Sequence, residues 1–583
     1  MSSATTSVPG DRPRRRLSPA GALRLRRPSE IWFKPALSSV AAAAPPNLTL
    51  LALGRLDLAM YTMAGSLCAL YAHNRPYAAR ARALAWVVLG MLGGLAAALV
   101  TASLTRDPVV LVAAGALLAA AQKVLCDATR IGPPGNVVPT FISSASLFVP
   151  QTAAQVPGHL ALAAAAGGWA WLVGMAPGLV RPHGPERRAT AHALRAAAAY
   201  ADTRGTGEGH TGVRDAGYAA VRTAWQALLS LPPAGRRATA RRALERLLVR
   251  AEAALAAPAD ADPERLRCWA RGLRGTGRIP GTAESGSAES GSAESGSAES
   301  GTETGPEIRA DERPGAESGP ATGHPPWWRL GPIAPIAVRT ALGCALAGYA
   351  SLALGVGRPY WALVTAAALY QAGLALTWNR TVQRVVGNLA GVLLFAAVAP
   401  LAHLHRALLV LCCLALTFGA EALITRNYWL GTVCVTPMAL LITEFAGCLR
   451  PGELIAERVV DTLVGALAGF LVAVAVTDRR AADRVEQALT AAHRARERTA
   501  RLLAEPAPAP RALAAARRRL VAAPAELRAT ADAAGGEWPR CSLPQERVAL
   551  AEQAGHRTLA ASVRRRQPRP HRDTDPTTED VRP

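Results

Sequence analysis

The chain holds only two lysines, Lys34 and Lys123, and every other basic side chain is arginine. A phosphate-cradling P-loop needs a lysine preceded by glycine and followed by serine or threonine. Lys34 follows Phe33 and Lys123 follows Gln122, so ATP hydrolysis within this chain by that route is excluded. Nine cysteines are scattered and none stands in a C-x-x-C pair, which leaves a zinc site or dithiol motif unsupported. His403 and His405 have the spacing of a metal pair on a strand but no third ligand, so neither a metal nor a cofactor is expected. No convergent Cys/His/Asp or Ser/His set is visible, and no enzyme chemistry is expected.

Charge is also missing, but only locally. The net charge is +23, yet half of the residues are apolar, and the mean hydropathy is +0.15. The two properties coexist because they occupy different segments. With so much Ala, Gly and Pro, the arginine content reflects GC-rich coding in part, and nucleic-acid binding is not inferred from it.

The least charged stretch runs from 339 to 477. It reads as six apolar segments, 340–355, 361–378, 386–401, 407–425, 428–443 and 459–477. Most approach the roughly 20 residues that cross a hydrocarbon core, and in lipid only a helix satisfies its own backbone within one segment. A second block precedes it, with segments 35–54, 56–71, 84–104, 108–125, 137–149 and 160–180. Pro45-Pro46 predicts a kink in the first, and the fifth is short. The expectation is an all-α polytopic membrane protein in which two parallel repeats of six transmembrane helices carry cytoplasmic helical domains.

Internal matches support the repeat. Gly90 and Gly94 recur as Gly387 and Gly391, 297 residues on, and Asn74-Arg75 as Asn379-Arg380, 305 residues on. Gly465 and Gly469 repeat the G-x-x-x-G spacing in the last segment. That spacing lets helix backbones approach closely, within the chain or between copies of it. Six segments per unit, an even number, makes the repeats parallel.

The remaining segments are polar. Residues 1–31 form a basic tail, read as disordered or as a contact with anionic lipid. Residues 32–180 are the first block. Residues 181–278 place Ala193, Leu194, Ala197, Ala198 and later Leu244, Leu247, Leu248, Ala251 at helical spacing, which predicts three or four amphipathic helices. Residues 279–326 hold a five-residue Glu/Ser/Gly repeat without a core, a flexible linker. Residues 327–477 are the second block, opened by Trp327-Trp328 as an interfacial belt. Residues 478–563 read as further amphipathic helices and 564–583 as a disordered tail. Arg181, Arg187, Arg188, Arg329, Arg339, Arg479, Arg480 and Arg484 flank the blocks, which puts both termini and the helical domains in the cytoplasm.

An ionisable group inside a membrane span costs about 2.5–3.5 kcal/mol and invites a functional explanation. Asp461 and Arg458 fall three residues apart on one helix face, and Glu421 lies five residues before Arg426. Their functional role is proton relay or substrate contact; the alternative is a group near a helix end that reaches water or a neighbouring arginine. Arg380 and Arg384, one turn apart, form a basic rim that draws a carboxylate in or simply holds a loop on the cytoplasmic side. Tyr360, Trp361 and Tyr370 stand at the mouth of one segment, as an aromatic face for substrate or, for the first two, as interfacial anchors.

The second block carries an ordered set of motifs. Arg358-Pro-Tyr-Trp361 leads to Gln371, then Arg380-Thr-Val-Gln-Arg384-Val-Val-Gly387-Asn-Leu-Ala-Gly391. Arg426-Asn-Tyr-Trp, Thr436-Pro437 and Arg458-Val-Val-Asp461-Thr462-Leu-Val-Gly465 follow. Across about a quarter of the chain this order resembles the fusaric-acid-resistance-like family, the aromatic acid exporter superfamily of bacterial inner-membrane proteins. Asn388 departs from that pattern, in which threonine usually follows the glycine. The resemblance implies a transporter that exports aromatic or other organic acids, driven by an ion gradient or by a separate ATPase subunit. A passive organic-anion channel and a membrane scaffold that recruits partners through its polar helices are the rival readings. The partners so implied are the lipid bilayer, a small organic acid, and a second copy or separate export subunits.

Overall fold

The computed structural model describes residues 19–25, 32–129, 131–203, 210–229, 238–275, 279–280, 334–371, 373–445, 450–476, 481–506, 508–535 and 545–564. The expected linker, apart from its first two residues, and the expected C-terminal tail, apart from Arg564, lie outside them.

After a single turn, α1 (Pro19–Ala22), the first block opens with α2 (Phe33–Ala52). Pro45 and Pro46 lie inside α2 without interrupting it. Then come α3 (Ala59–Ser66), bracketed by 3-10 turns to give Leu56–Leu70, α4 (Tyr77–Leu104), α5 (Pro108–Thr129), α6 (Val137–Leu147) and α7 (Val156–Met175), which runs on into α8 (Pro177–Val180). Four amphipathic helices follow, α9 (Gly184–Asp202), α10 (His210–Leu229), α11 (Ala238–Ala256) and α12 (Pro263–Gly272). The second block is α13 (Ala334–Ala353), α14 (Tyr360–Leu369), α15 (Leu374–Leu404), α16 (Arg406–Ile424), α17 (Tyr428–Glu444) and α18 (Pro451–Ala475), and α19 (Ala481–Ala504), α20 (Pro510–Gly535) and α21 (Gln545–Arg564) close the chain.

Each of the twelve apolar segments holds a helix; α2, with Pro45 and Pro46 inside it, stands apart, and the other eleven are of two kinds. Seven helices are long and apolar enough to cross a membrane: α4, α5, α7–α8, α13, α15, α16 and α18. Leu56–Leu70, α6, α14 and α17 are shorter, and these are the second and fifth segments of each block. All ten residues of α14 are buried, and seven of the eight in α3. A helix enclosed by other helices is not required to match the bilayer, because its neighbours and not lipid surround it. The chain is an all-α polytopic membrane protein, with short central helices inside long outer ones.

Lipid shapes the outer helices. On α18 the buried face carries Arg458, Asp461, Thr462, Gly465 and Gly469, while Val460, Leu463, Leu467, Leu471 and Val474 are exposed. Polar groups inside and leucines outside invert the pattern of a water-soluble helix.

Glycines set the helix pairs, and the pairs correspond between blocks. A Cβ on Gly65 of α3 would lie 2.3 Å from the Ala163 carbonyl oxygen of α7, and one on Gly465 of α18 would lie 2.4 Å from that of Ala362 in α14. Second and sixth segments therefore meet backbone to backbone in both blocks. Third and fifth segments meet closely in the second block, where Gly387 and Gly391 face the Trp429 and Val433 carbonyls; in the first block Gly94 meets side chains, Gln122 of the fourth segment and Ser143 of the fifth. Between blocks, the first segment of each meets the fourth of the other. Trp32, at the head of α2, lies edge-on to Phe418 of α16, and Tyr349 of α13 donates to the Val109 carbonyl of α5 at 3.2 Å. The starts of α4 and α15 are 297 residues apart, the interval of the glycine pairs. The Asn-Arg match does not correspond: Asn74-Arg75 precedes α4, whereas Asn379-Arg380 lies within α15.

Gly90 is the exception among the six packing glycines, since a Cβ there meets only the Leu125 side chain, at 3.7 Å. At Gly94 it would press within 2.5 Å of Gln122, which donates a buried 2.7 Å hydrogen bond to Ser143. Gly90→Ala should leave stability within about 0.5 kcal/mol, and Gly94→Ala should cost about 1–3 kcal/mol as that bond is broken. Thermal unfolding of the two purified variants decides; equal midpoints would refute the distinction.

Two sets of amphipathic helices complete the chain. In the compact unit that holds α10, α11 and α12, Trp225 is buried and its indole donates to Glu252 at 2.9 Å. All eight residues expected at helical spacing there and in α9 are buried. Helices α19 to α21 pack around Val485, Leu489, Leu527 and Val548, and Arg528 forks onto Glu552 at 3.1 and 2.5 Å.

Candidate functional site

The second block encloses a column of polar side chains on α13, α14, α15, α17 and α18. It exists because α15 begins at Leu374 and α18 at Pro451, each well before the apolar run that marks it in the sequence. Arg380, Arg384 and Asn388 are thereby spaced by four along one helix face. Arg458 and Asp461 lie two to three turns inside α18, with Asp461 about 15 Å from its first residue at 1.5 Å per residue. The expected rim and loop arginines are helix residues; Arg384 is 3% and Arg458 2% exposed.

At one end of the column Arg384 Nη1 donates to the Tyr428 hydroxyl at 2.9 Å, and the Arg380 guanidinium lies 3.3 Å over the Tyr428 ring. In the middle, Asn388 joins three helices. Its Oδ1 accepts from Thr436 at 2.7 Å and from Arg458 Nη2 at 3.5 Å, and its Nδ2 donates to Thr462 at 3.0 Å. Arg458 lies 4.2 Å over the Trp361 ring, which itself stacks on Phe141 of the first block at 5.5 Å. Beside it, Asp461 Oδ1 accepts from Ser351 at 2.6 Å. The far end carries an ion pair between Arg358 and Glu457.

This column is unfinished. Buried Nε of Arg384, Nε and Nη1 of Arg458 and Oδ2 of Asp461 have no hydrogen-bond partner. Among the described residues neither Arg458 nor Arg384 forms an ion pair, and the two guanidinium groups lie close enough to repel. Three arginines here face one carboxylate. Buried cations without counter-ions are strongly unfavourable, and planar guanidinium forks match the geometry of a carboxylate.

Other expected site residues lie elsewhere. Tyr370 is buried against α13 and α18 and donates to the Gly469 carbonyl at 3.1 Å, so its hydroxyl is held by the fold. Glu421 is partly exposed near the end of α16 and has no ion pair with Arg426 among the described residues. Tyr360 and Trp361, expected as interfacial anchors, are instead 6% and 2% exposed. His405 caps α16 by accepting from the Ala407 amide at 3.1 Å. His403 meets the buried Glu444 at 2.9 Å, and among the described residues no group of three His, Cys, Asp or Glu could hold a metal ion.

Sequence reasoning missed Ser351, Tyr428, Thr436 and Thr462 as members of the column, and saw Asn388 only as a departure. The available signal was the spacing 380, 384, 388 along one helix face. In the first block a neutral network joins α5 and α6. Gln122 donates to Ser143 at 2.7 Å and accepts from Thr140 at 3.0 Å.

Residues 345–472 match the family model described as "Fusaric acid resistance protein-like". That range contains every member of the column and coincides with the stretch whose motifs carry the resemblance. An uncharacterized membrane protein, YvaC, of Bacillus subtilis (strain 168) is 34% identical over 123 residues, 21% of this chain and 19% of the relative. The match thus spans about a fifth of that relative's length. No solved structure matches.

Proposed function

We propose that this membrane protein carries small organic anions, aromatic carboxylates among them, through the arginine column of its second block. The observation that carries the reading is Arg458, 2% exposed with two guanidinium nitrogens unpartnered. A carboxylate seated between Arg458 and Arg384 would complete both forks, with Trp361 and Tyr428 offering ring faces to an aromatic body. The reading is of one substrate site per chain, in the second block, where the unpartnered Arg458 and Arg384 nitrogens stand. The two blocks are inferred to be parallel repeats, supported by the reciprocal helix pairs and the shared interval of 297 residues.

The proposed location is the bacterial inner membrane, with both termini and the helical units cytoplasmic. Arg80, Arg82, Lys123, Arg380, Arg384 and Arg458 lie inside helices, so short-loop charge carries less of this argument than the arginines that flank the blocks. Export is read as gradient-driven, with Asp461 as the proton-carrying group beside the anion; nothing points to catalysis.

The test is accumulation of radiolabelled benzoate in cells with and without the protein, with and without a protonophore. Lower accumulation, restored by the protonophore and by Asp461→Asn at equal expression, is expected. Benzoate flux that ignores the protonophore and Asp461→Asn would replace the carrier with a passive anion channel. No flux at all would favour a scaffold.

A further inference from the structure

The N-terminal segment makes contacts that the transport reading leaves unused. Residues 19–25 form the short helix α1 and a turn, and Ala22 is 4% exposed. The segment is held by its backbone carbonyls. Gln383 Nε2 donates to the Ala22 oxygen at 2.8 Å. Asn427 Nδ2 donates to the oxygens of Ala22 at 3.0 Å and Arg24 at 2.9 Å. Trp429 Nε1 donates to that of Leu23 at 3.3 Å.

These three donors have a shared location. Gln383 immediately precedes Arg384, and Asn427 and Trp429 bracket Tyr428, the hydroxyl that Arg384 binds. The segment therefore lies at the end of the column where Arg380, Arg384 and Tyr428 stand, while its four hydrogen bonds go to their chain neighbours Gln383, Asn427 and Trp429. Its grip consists of side-chain to carbonyl hydrogen bonds, which water can replace one for one. It is also leashed, because only residues 26–31 separate it from Trp32 at the head of α2. A tether that short keeps the segment at high local concentration after release.

We infer that residues 19–25 form a strap that closes the Arg384–Tyr428 end of the column and must leave for the column to open there. The inference rests on the carboxylate reading only for what passes the strap, not for the strap itself. The contacts are intramolecular, so the strap sets the fraction of chains open at any moment, and the rate of entry at that end scales with this fraction.

The test is thiol accessibility in the full-length chain, in lipid vesicles. Tyr428→Cys is labelled with a negatively charged methanethiosulfonate, and modification at this position is resolved from the native cysteines by mass spectrometry. It is compared with the same chain carrying Gln383→Ala and Asn427→Ser, which removes three of the four strap bonds; serine preserves a helix cap at 427. A second comparison removes residues 2–25. Labelling is expected to accelerate about tenfold in both, as for a site open in about a tenth of molecules. Equal labelling rates in all three would overturn the strap, whatever the protein carries. Uptake of radiolabelled benzoate, run in parallel on chains that keep Tyr428, isolates the other reading. Faster labelling with no benzoate uptake by any form would leave the strap standing and retire the carboxylate proposal.

Discussion

Arg458→Gln is expected to weaken benzoate binding about 100-fold while raising, or at least not lowering, the thermal stability of the empty protein. The two effects have one cause. Arg458 is 2% exposed, and its Nε and Nη1 lack partners. In the empty state the guanidinium is a desolvated cation whose held contacts are one 3.5 Å hydrogen bond to Asn388 and the Trp361 ring. A neutral amide at 458 removes the desolvation penalty. With an anion bound the balance reverses, since truncating one member of a buried charge pair costs about 2–5 kcal/mol, and about 2.7 kcal/mol is 100-fold in affinity. Arg458→Lys separates charge from shape: it keeps the cation and loses the planar fork, and intermediate affinity is expected. Equilibrium binding of labelled benzoate and thermal unfolding without ligand read the two quantities. A variant that loses affinity and stability together would mark Arg458 as a structural residue, and unchanged affinity would remove it from the site.

Gly465→Ala is expected to abolish recovery of folded protein, and Gly65→Ala to do the same. An added Cβ at 465 would stand 2.4 Å from the Ala362 carbonyl oxygen and 2.9 Å from the Thr365 Cβ; at 65 it would stand 2.3 Å from the Ala163 oxygen and 2.4 Å from the Gly167 nitrogen. These neighbours are backbone of packed helices, and no side-chain rotation relieves the overlap. Overpacking of this kind costs about 1–3 kcal/mol when side chains can yield, and more when they cannot. Gly93 and Gly168 are the controls, because a Cβ at either meets nothing within 4 Å. Size-exclusion chromatography of the solubilised variants, followed by thermal unfolding, tests the contrast. Monodisperse Gly465→Ala protein with an unshifted midpoint would disprove the close approach of α14 and α18.

The consequences for function differ between the two sets. The glycine contacts bring α18 against α14, and so place Arg458 over Trp361 and Asp461 within reach of Ser351. The arginines then give that packing buried positive charge. In the first block Gly65 makes a like close approach to α7, while Gln122, Ser143 and Thr140 form a neutral network between α5 and α6.

The sequence by itself determined that the chain is all-helical at its apolar segments, where the twelve lie, and which faces of α9 and α11 are buried. Those properties depend on the length and period of apolar runs, which are local. Its motifs also pointed to the right stretch, 339–477. Tertiary structure alone decided where α15 and α18 begin, that Leu56–Leu70, α6, α14 and α17 are short central helices, and which polar residues meet. Arg380, Arg384 and Arg458 look like loop residues in a hydropathy reading, because a charge inside a span is costly and normally ends it. That cost is met only when partners arrive from distant helices. Ser351 reaches Asp461 across 110 residues and Tyr428 reaches Arg384 across 44, and no local pattern encodes such a meeting.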